Sequence, residues 1–164
     1  MLVKNSHLIL FSFVILSLAF ALVPSPIQMA GYRIDSFQSE QAIDLLLEQV
    51  KRRPLNATAQ RQLYDAFFNV GRLEEAALIA EKLVQLKPRN AHYWKRRYDV
   101  LIGLNRTLDA TRVREEMLRR KITSYDKNTL LSLAQDYDWN QSYEDLLRIY
   151  EEVAKNFALD RRDL

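Results

Sequence analysis

From about residue 36 onward the apolar residues recur at intervals of three and four, in blocks parted by short polar breaks, which is the pattern of amphipathic helices. Ala42, Ile43, Leu46, Leu47 and Val50 share one face of a helix predicted from Ser36 or Ser39 to Arg53, and Pro54 closes it. Asn56 is placed to cap the next helix, Ala57 to Val70, whose apolar positions include Leu63, Tyr64, Phe67 and Phe68. Gly71 breaks that pattern, a helix from Leu73 to Leu86 follows, and Pro88 stops it. Asn90 then caps a helix reaching Leu104, Asn105 and Arg106 turn the chain, and Thr107 to about Lys121 is helical again. Lys127 to Asp138 and Ser142 to Phe157 form a last pair. Only three Gly and four Pro leave little room for the turns of an all-β fold, so the pattern predicts an all-α chain.

The blocks repeat. VKRRPLNA at Val50 to Ala57 returns as VQLKPRNA at Val84 to Ala91, 34 residues on, and Ala42, Ala76 and Ala110 keep the same interval. A period of that length signals stacked helical hairpins, with the alanines where paired helices approach closely. The last pair keeps the register if the loop before it holds two extra residues, which a surface turn tolerates.

In these residues the chain resembles the tetratricopeptide repeat (TPR) family, whose pattern W-x2-L-G-x2-Y…A-x3-F…P packs two antiparallel helices. The first full hairpin supplies Leu63, Phe67, Gly71, Ala76, Ala80 and Pro88, the second Trp94 and Ala110, the third Leu133, Ala134 and Tyr137. It departs from the pattern at Tyr64 and Tyr98, where a small residue is usual, at Arg97 in a leucine place and at Leu146 in the alanine place. The resemblance implies a right-handed superhelical stack of antiparallel hairpins over residues 36–158. It holds about three and a half hairpins: an unpaired second-type helix at 36–53, then 56–87, 90–121 and 127–157.

Ahead of this domain, residues 1–30 read as a leader with a short linker. Lys4 and His7 precede the uncharged run LILFSFVILSLAFALV, and no charge appears from Leu8 through Tyr32. The charge placement predicts a cytoplasmic N-terminus. The favoured reading is a single-pass inner-membrane anchor with the repeats in the periplasm of a bacterium. The alternative is a signal peptide cut after Ala21, at the Ala19-Phe20-Ala21 site, leaving a soluble periplasmic or secreted protein. Pro24 and Pro26 end the apolar helix, and the stretch to Asp35 reads as an extended linker.

Composition narrows the chemistry. Without cysteine there are no disulfides, thiolate metal sites or Cys nucleophiles. His92 is the sole histidine beyond the leader, so neither a histidine metal pair nor a Ser-His-acid triad can be assembled there. The expectation is no enzyme, no metal and no cofactor. Neighbouring carboxylates such as Glu74 and Glu75, or Glu115 and Glu116, lie on Arg- and Lys-rich helices and read as solvated faces. The run His92 to Tyr98 mixes aromatic and basic residues, yet Trp94, Tyr98 and Leu101 follow the packing stripe and leave Lys95 and Arg96 outward, so no nucleic-acid partner is expected. Asn56, Asn105 and Asn140 begin N-x-S/T sequons that matter only in a eukaryotic secretory pathway.

In TPR arrays the first helices line a groove, and the resemblance assigns to it Arg61, Asp65, Phe68 and Asn69, then Lys95, Asp99 and Ile102, then Leu131, Gln135, Asp138 and Trp139. The pairs Arg61/Asp65 and Lys95/Asp99 stand at i, i+4 and also stabilise a helix surface. Asp65 and Asp99 stand where the family's carboxylate clamp for chaperone tails uses asparagine, which disfavours that ligand. The expected function is a non-catalytic scaffold that binds a protein partner while assembling or maintaining an envelope complex. One alternative is binding of an acidic polymer or exported polysaccharide through Arg112, Arg114, Arg119, Arg120 and Lys121. Another is a homo-oligomer formed through the apolar stripe Tyr143, Leu146, Leu147, Tyr150, Val153 and Phe157.

Overall fold

The computed structural model describes residues 10–18, 23–36 and 38–157, and these are helices joined by short turns. We label them α1 (10–18), α2 (Pro26–Asp35), α3 (Ser39–Arg52), α4 (Ala57–Asn69), α5 (Leu73–Leu86), α6 (Ala91–Gly103), α7 (Thr107–Arg119), α8 (Lys127–Trp139) and α9 (Tyr143–Asn156). From α2 onward each helix packs on the next, so the chain stacks as the hairpins α2/α3, α4/α5, α6/α7 and α8/α9.

Two expectations fail at the N-terminal end. The stretch after Pro24 is helical, because Pro26 starts α2 instead of breaking it. Ser25 accepts a hydrogen bond from the Gln28 amide, the Gln28 side chain accepts one from the Ser25 amide at 2.8 Å, and a proline at the first helical position lacks an N–H that would be unpaired there anyway. Ala30 is buried, and α2 packs on α3 and reaches α4, so the helix predicted to stand alone at 36–53 has a partner. The second failure is the membrane anchor. Among the described residues no helix is long and apolar enough to cross a membrane, which corrects the single-pass inner-membrane placement. Lys4, His7 and the cleavage site at Ala21 lie outside the described residues.

Two kinds of helix ending shape the stack. Gly71, Asn105, Lys121 and Gln141 adopt positive φ of 76°, 57°, 55° and 55°. After each, an amide reaches back to close the helix end, Arg72 to the Phe67 carbonyl, Arg106 to Leu101, Ile122 to Met117 and Ser142 to Tyr137, each at 2.9 Å. This is the Schellman ending. Three of the four turn a first helix into its second; the one at Lys121 instead leads from α7 to the next hairpin. By contrast α3 and α5 end on Arg53 and Lys87, whose φ of −137° and −140° suit a residue before proline. The Pro54 carbonyl accepts from the Gln60 side-chain amide at 3.0 Å, and 34 residues on the Pro88 carbonyl accepts from the Trp94 indole N–H at 2.8 Å.

The apolar interior divides in two. The larger cluster runs from Ala30 to Val113 and includes Leu46, Leu63, Phe67, Leu83 and Trp94, with Ala42, Ala76 and Ala110 fully buried. The smaller gathers Leu118 with Leu130, Leu133, Ala134, Tyr137, Ile149 and Val153. Polar contacts bridge them. Glu115 accepts from Arg148 at 2.7 and 3.0 Å and from the Tyr137 hydroxyl, Arg114 pairs with Asp136, and the Thr107 hydroxyl donates to Asn140.

Candidate functional site: the face of the first helices

On α4 the side chains of Arg61, Asp65 and Phe68 emerge at helical spacing, and α6 repeats the arrangement with Lys95, Asp99 and Ile102. Asp65 accepts from Arg61 at 3.0 Å along its own helix and from Arg96 of α6 at 3.0 and 3.2 Å. Arg96 therefore does not point away from the stack as expected. It lies over the Tyr64 ring at 5.4 Å, and its backbone carbonyl accepts from the Tyr64 hydroxyl at 3.0 Å. Burial, with a smaller contribution from the Asp99 charge, pushes the Tyr64 hydroxyl well above the ordinary phenol range, so it remains a donor at any physiological pH. Lys95 closes on Asp99 at 2.6 Å.

Tyr64, Asp65, Phe68, His92, Lys95, Arg96 and Asp99 line a cleft of about 230 Å³ between α4 and α6. Of the positions assigned from the sequence, Asp65, Phe68, Lys95 and Asp99 thus meet in one place, with Arg61 held to Asp65. Phe68 stacks on Tyr64 at 5.6 Å and keeps 37% exposure, which leaves one ring face for a ligand. Asn69 is exposed at the end of α4, and Ile102 is exposed a turn beyond Asp99.

The third hairpin behaves differently. Leu131 is half-buried against the smaller core, while Gln135, Asp138 and Trp139 are exposed, Trp139 at 84%. None of these four lines the cleft between α4 and α6. The helix instead offers Asn128, Thr129 and Ser132, which with Lys95, Tyr98, Arg114, Met117 and Thr123 line a second cleft of about 430 Å³ at the α6, α7 and α8 junction. No sequence signal beyond the two extra residues pointed to it. On the opposite face α5, α6 and α7 enclose a third cleft of about 390 Å³, with Leu78, Arg97 and Arg112 among its lining.

The basic stripe on α7 is mostly neutralised. Arg112 lies 3.8 Å from Asp109, Arg119 is 2.6 Å from Glu115, Arg114 pairs with Asp136 and Arg120 with Glu116. The stripe on α9 is mostly used up as well. Val153 is fully buried, Leu146, Tyr150 and Phe157 pack on the smaller core, and only Tyr143 and Leu147 stay open, at 60% and 62%. Among the described residues no group of three or more His, Asp or Glu is disposed to hold a metal ion.

Solved structures share this arrangement of hairpins. MamA AMB-1 superposes with a TM-score of 0.61 at 15% identity, over 82% of this chain and 74% of that one. MamA from Desulfovibrio magneticus RS-1 gives 0.57 at 12%, over 79% and 72%. The first TPR domain of the human RPAP3 protein gives 0.52 at 15%, over 79% of this chain and 91% of that one. The fold is TPR-like. No family model matches the sequence, and no curated protein does. At such low identities the likeness carries the TPR-like architecture alone. That agrees with residues which keep the repeat's geometry, Gly71, Ala76, Pro88 and Ala110, while the surface between them is this chain's own.

Proposed function

We propose that this protein is a non-catalytic scaffold whose first-helix face holds a segment of a partner protein. The observation that carries the proposal is the cleft between α4 and α6, where a half-open aromatic, Phe68, lies beside cations already positioned by Asp65 and Asp99. An apolar side chain can stack on Phe68, and a carboxylate can draw Lys95, 69% exposed, away from Asp99, an exchange that costs little at a solvated pair. Stacked hairpins present such clefts in series, so an extended or helical segment can meet more than one of them. Arg61, Asn69, Ile102 and, from the last hairpin, Leu131, Gln135, Asp138 and Trp139 remain proposed contributors.

The test is crosslinking in intact cells, followed by identification of the captured protein. Arg61→Glu with Lys95→Glu is expected to abolish capture while helicity and melting stay intact. If Arg119→Glu with Arg120→Glu abolishes capture and the cleft pair does not, the first-helix face is the wrong surface. Self-association through Tyr143 and Leu147 is the second reading, motivated by their exposure at the end of the stack, and the mass of the chain in solution decides it.

A further inference from the structure

Because consecutive helices run antiparallel, the turns within hairpins lie along one edge of the stack and the links between hairpins along the other. The last link confirms its side. Tyr125 donates to Glu152 and accepts from Asn156 at 3.4 Å, near the C-terminal end of α9, where the links must be.

The two edges differ in how far their cations are closed by ion pairs. On the hairpin-turn edge the arginines are closed locally, Arg72 on Glu75 at 2.7 Å and, 34 residues later, Arg106 on Asp109 at 2.7 Å. On the link edge Arg52 and Arg120 pair with Glu48 and Glu116, each at 2.5 Å, but Lys51, Arg53, Lys87, Arg89 and Lys121 are exposed, and among the described residues none of these five is paired with a carboxylate. A helix C-terminus favours a cation in its last turn, which accounts for Lys51. It does not account for Arg89 or Lys121, which lie beyond the ends of α5 and α7. Exposed cations without a carboxylate partner give this edge a positive potential that attracts an anionic chain.

From this contrast we propose that the link edge binds an extended acidic polypeptide segment, on a surface separate from the cleft of the proposed scaffold function. Successive links are two helices apart, about 20 Å or less for packed helices, so the cations are spread over roughly 40 Å. A small anion meets one link, whereas an extended chain of about 12 to 14 residues meets all three. The side chains between the cations specify the chemistry further. Leu55 is 78% exposed beside Arg53, and Pro88 is exposed between Lys87 and Arg89. Tyr125, 43% exposed, is the aromatic at this edge, and its hydroxyl is engaged by Glu152. A single-stranded nucleic acid gains much of its affinity from rows of aromatic faces, and this edge offers no such row among the described residues. Carboxylates interleaved with small or apolar residues suit it better, since guanidinium and ammonium groups bind carboxylates through charge-assisted hydrogen bonds.

The experiment measures fluorescence anisotropy of a labelled peptide of about 14 residues, alternating Glu and Ser, against the full chain at about 50 mM salt, where surface charges are weakly screened. An oligothymidylate of similar length is the comparator. Lys87→Glu with Arg89→Glu is expected to weaken peptide binding about tenfold or more, while Arg72→Glu with Arg106→Glu, the same change in net charge, leaves it within about twofold. The milder Lys87→Gln with Arg89→Gln is expected to follow the same order if the reversal disturbs folding. Arg61→Glu with Lys95→Glu leaves peptide binding intact, which separates this proposal from the cleft. Absence of binding by the wild-type chain, equal losses for the two edges, or tighter binding of the oligonucleotide than of the peptide each overturns it.

Discussion

The link from α5 to α6 and the link from α7 to α8 make the same reversal with different parts. In the first, Lys87 is extended ahead of Pro88, the helix stops at once, and the Trp94 indole ties the proline carbonyl to the start of α6. The link from α3 to α4 uses the same device with Arg53, Pro54 and Gln60. In the second, position 122 carries isoleucine where the 34-residue interval calls for proline. The chain leaves α7 through a left-handed Lys121, and the longer link through Tyr125 follows. The helices on either side of the short links share one apolar core, whereas the long link marks where that core divides. Neighbouring hairpins thus share a core where a proline and one side-chain hydrogen bond form the link, and adjoin where the link lacks them. Where they adjoin, arginine-carboxylate contacts and a 430 Å³ cleft occupy the joint.

The most damaging single change should be Trp94→Ala, which removes a side chain 2% exposed together with its bond to Pro88. The expected cost is about 3 to 5 kcal/mol in urea unfolding, concentrated in the larger core. A loss below about 1 kcal/mol would mean that the short link does not fuse the hairpins.

Acid should act on the other joint. Burial alone pushes the Glu115 carboxyl up, but the hydrogen bonds from Arg148 and Tyr137, with the charges of Arg148 and Arg119, more than offset this and hold it below the ordinary glutamate value. A carboxyl lowered by folding adds stability above its ordinary pKa and loses that contribution as pH falls through the folded value. Asp145, lowered chiefly by its hydrogen bond from Arg148, adds to the same trend, whereas Asp136 is raised by burial and opposes it. Amides of α8 and α9 should therefore lose protection at a higher pH than those of α4 to α6, in hydrogen exchange corrected for intrinsic rates, and Glu115→Gln should narrow the difference. Simultaneous loss in both regions would show that the two cores open as one.

What the sequence made legible follows the same division. The matched phrases around Pro54 and Pro88 carried their links, their Asn56 and Asn90 caps and the buried alanines, because identical local chemistry recurs there at a fixed interval. Helix α2 escaped notice although Ser25 and Gln28 form a capping box, because Pro26 reads equally as a stop and as a first helical residue. Lys121 and Gln141 in the left-handed region have no compositional mark, unlike Gly71. The fate of the arginines was illegible for another reason. Whether Arg96 reaches Asp65, or Arg114 reaches Asp136, depends on how far α6 and α8 rotate on their neighbours, and helical periodicity does not specify that angle.

The smallest expected effect is a gain. Lys121 holds a φ of 55°, which costs a residue with a Cβ about 1 to 2 kcal/mol, and glycine's greater unfolded-state entropy returns part of that. Lys121→Gly should raise stability by about 0.5 kcal/mol in thermal melting. A loss of stability would show that the side chain, and not the backbone turn, holds the long link.

The polar contacts between repeats have a consequence for how the chain acquires this structure. Tyr64 to Arg96, Asp65 to Arg96, Thr107 to Asn140 and Glu115 to Arg148 each span 31 to 33 residues, about one repeat. Among the described residues the chain therefore closes short loops, a topology of low contact order that favours rapid folding. During synthesis the hairpins up to α7 have every partner of the larger core before α8 is made, so the unfinished chain can bury most of its apolar surface while the last hairpin is still being translated.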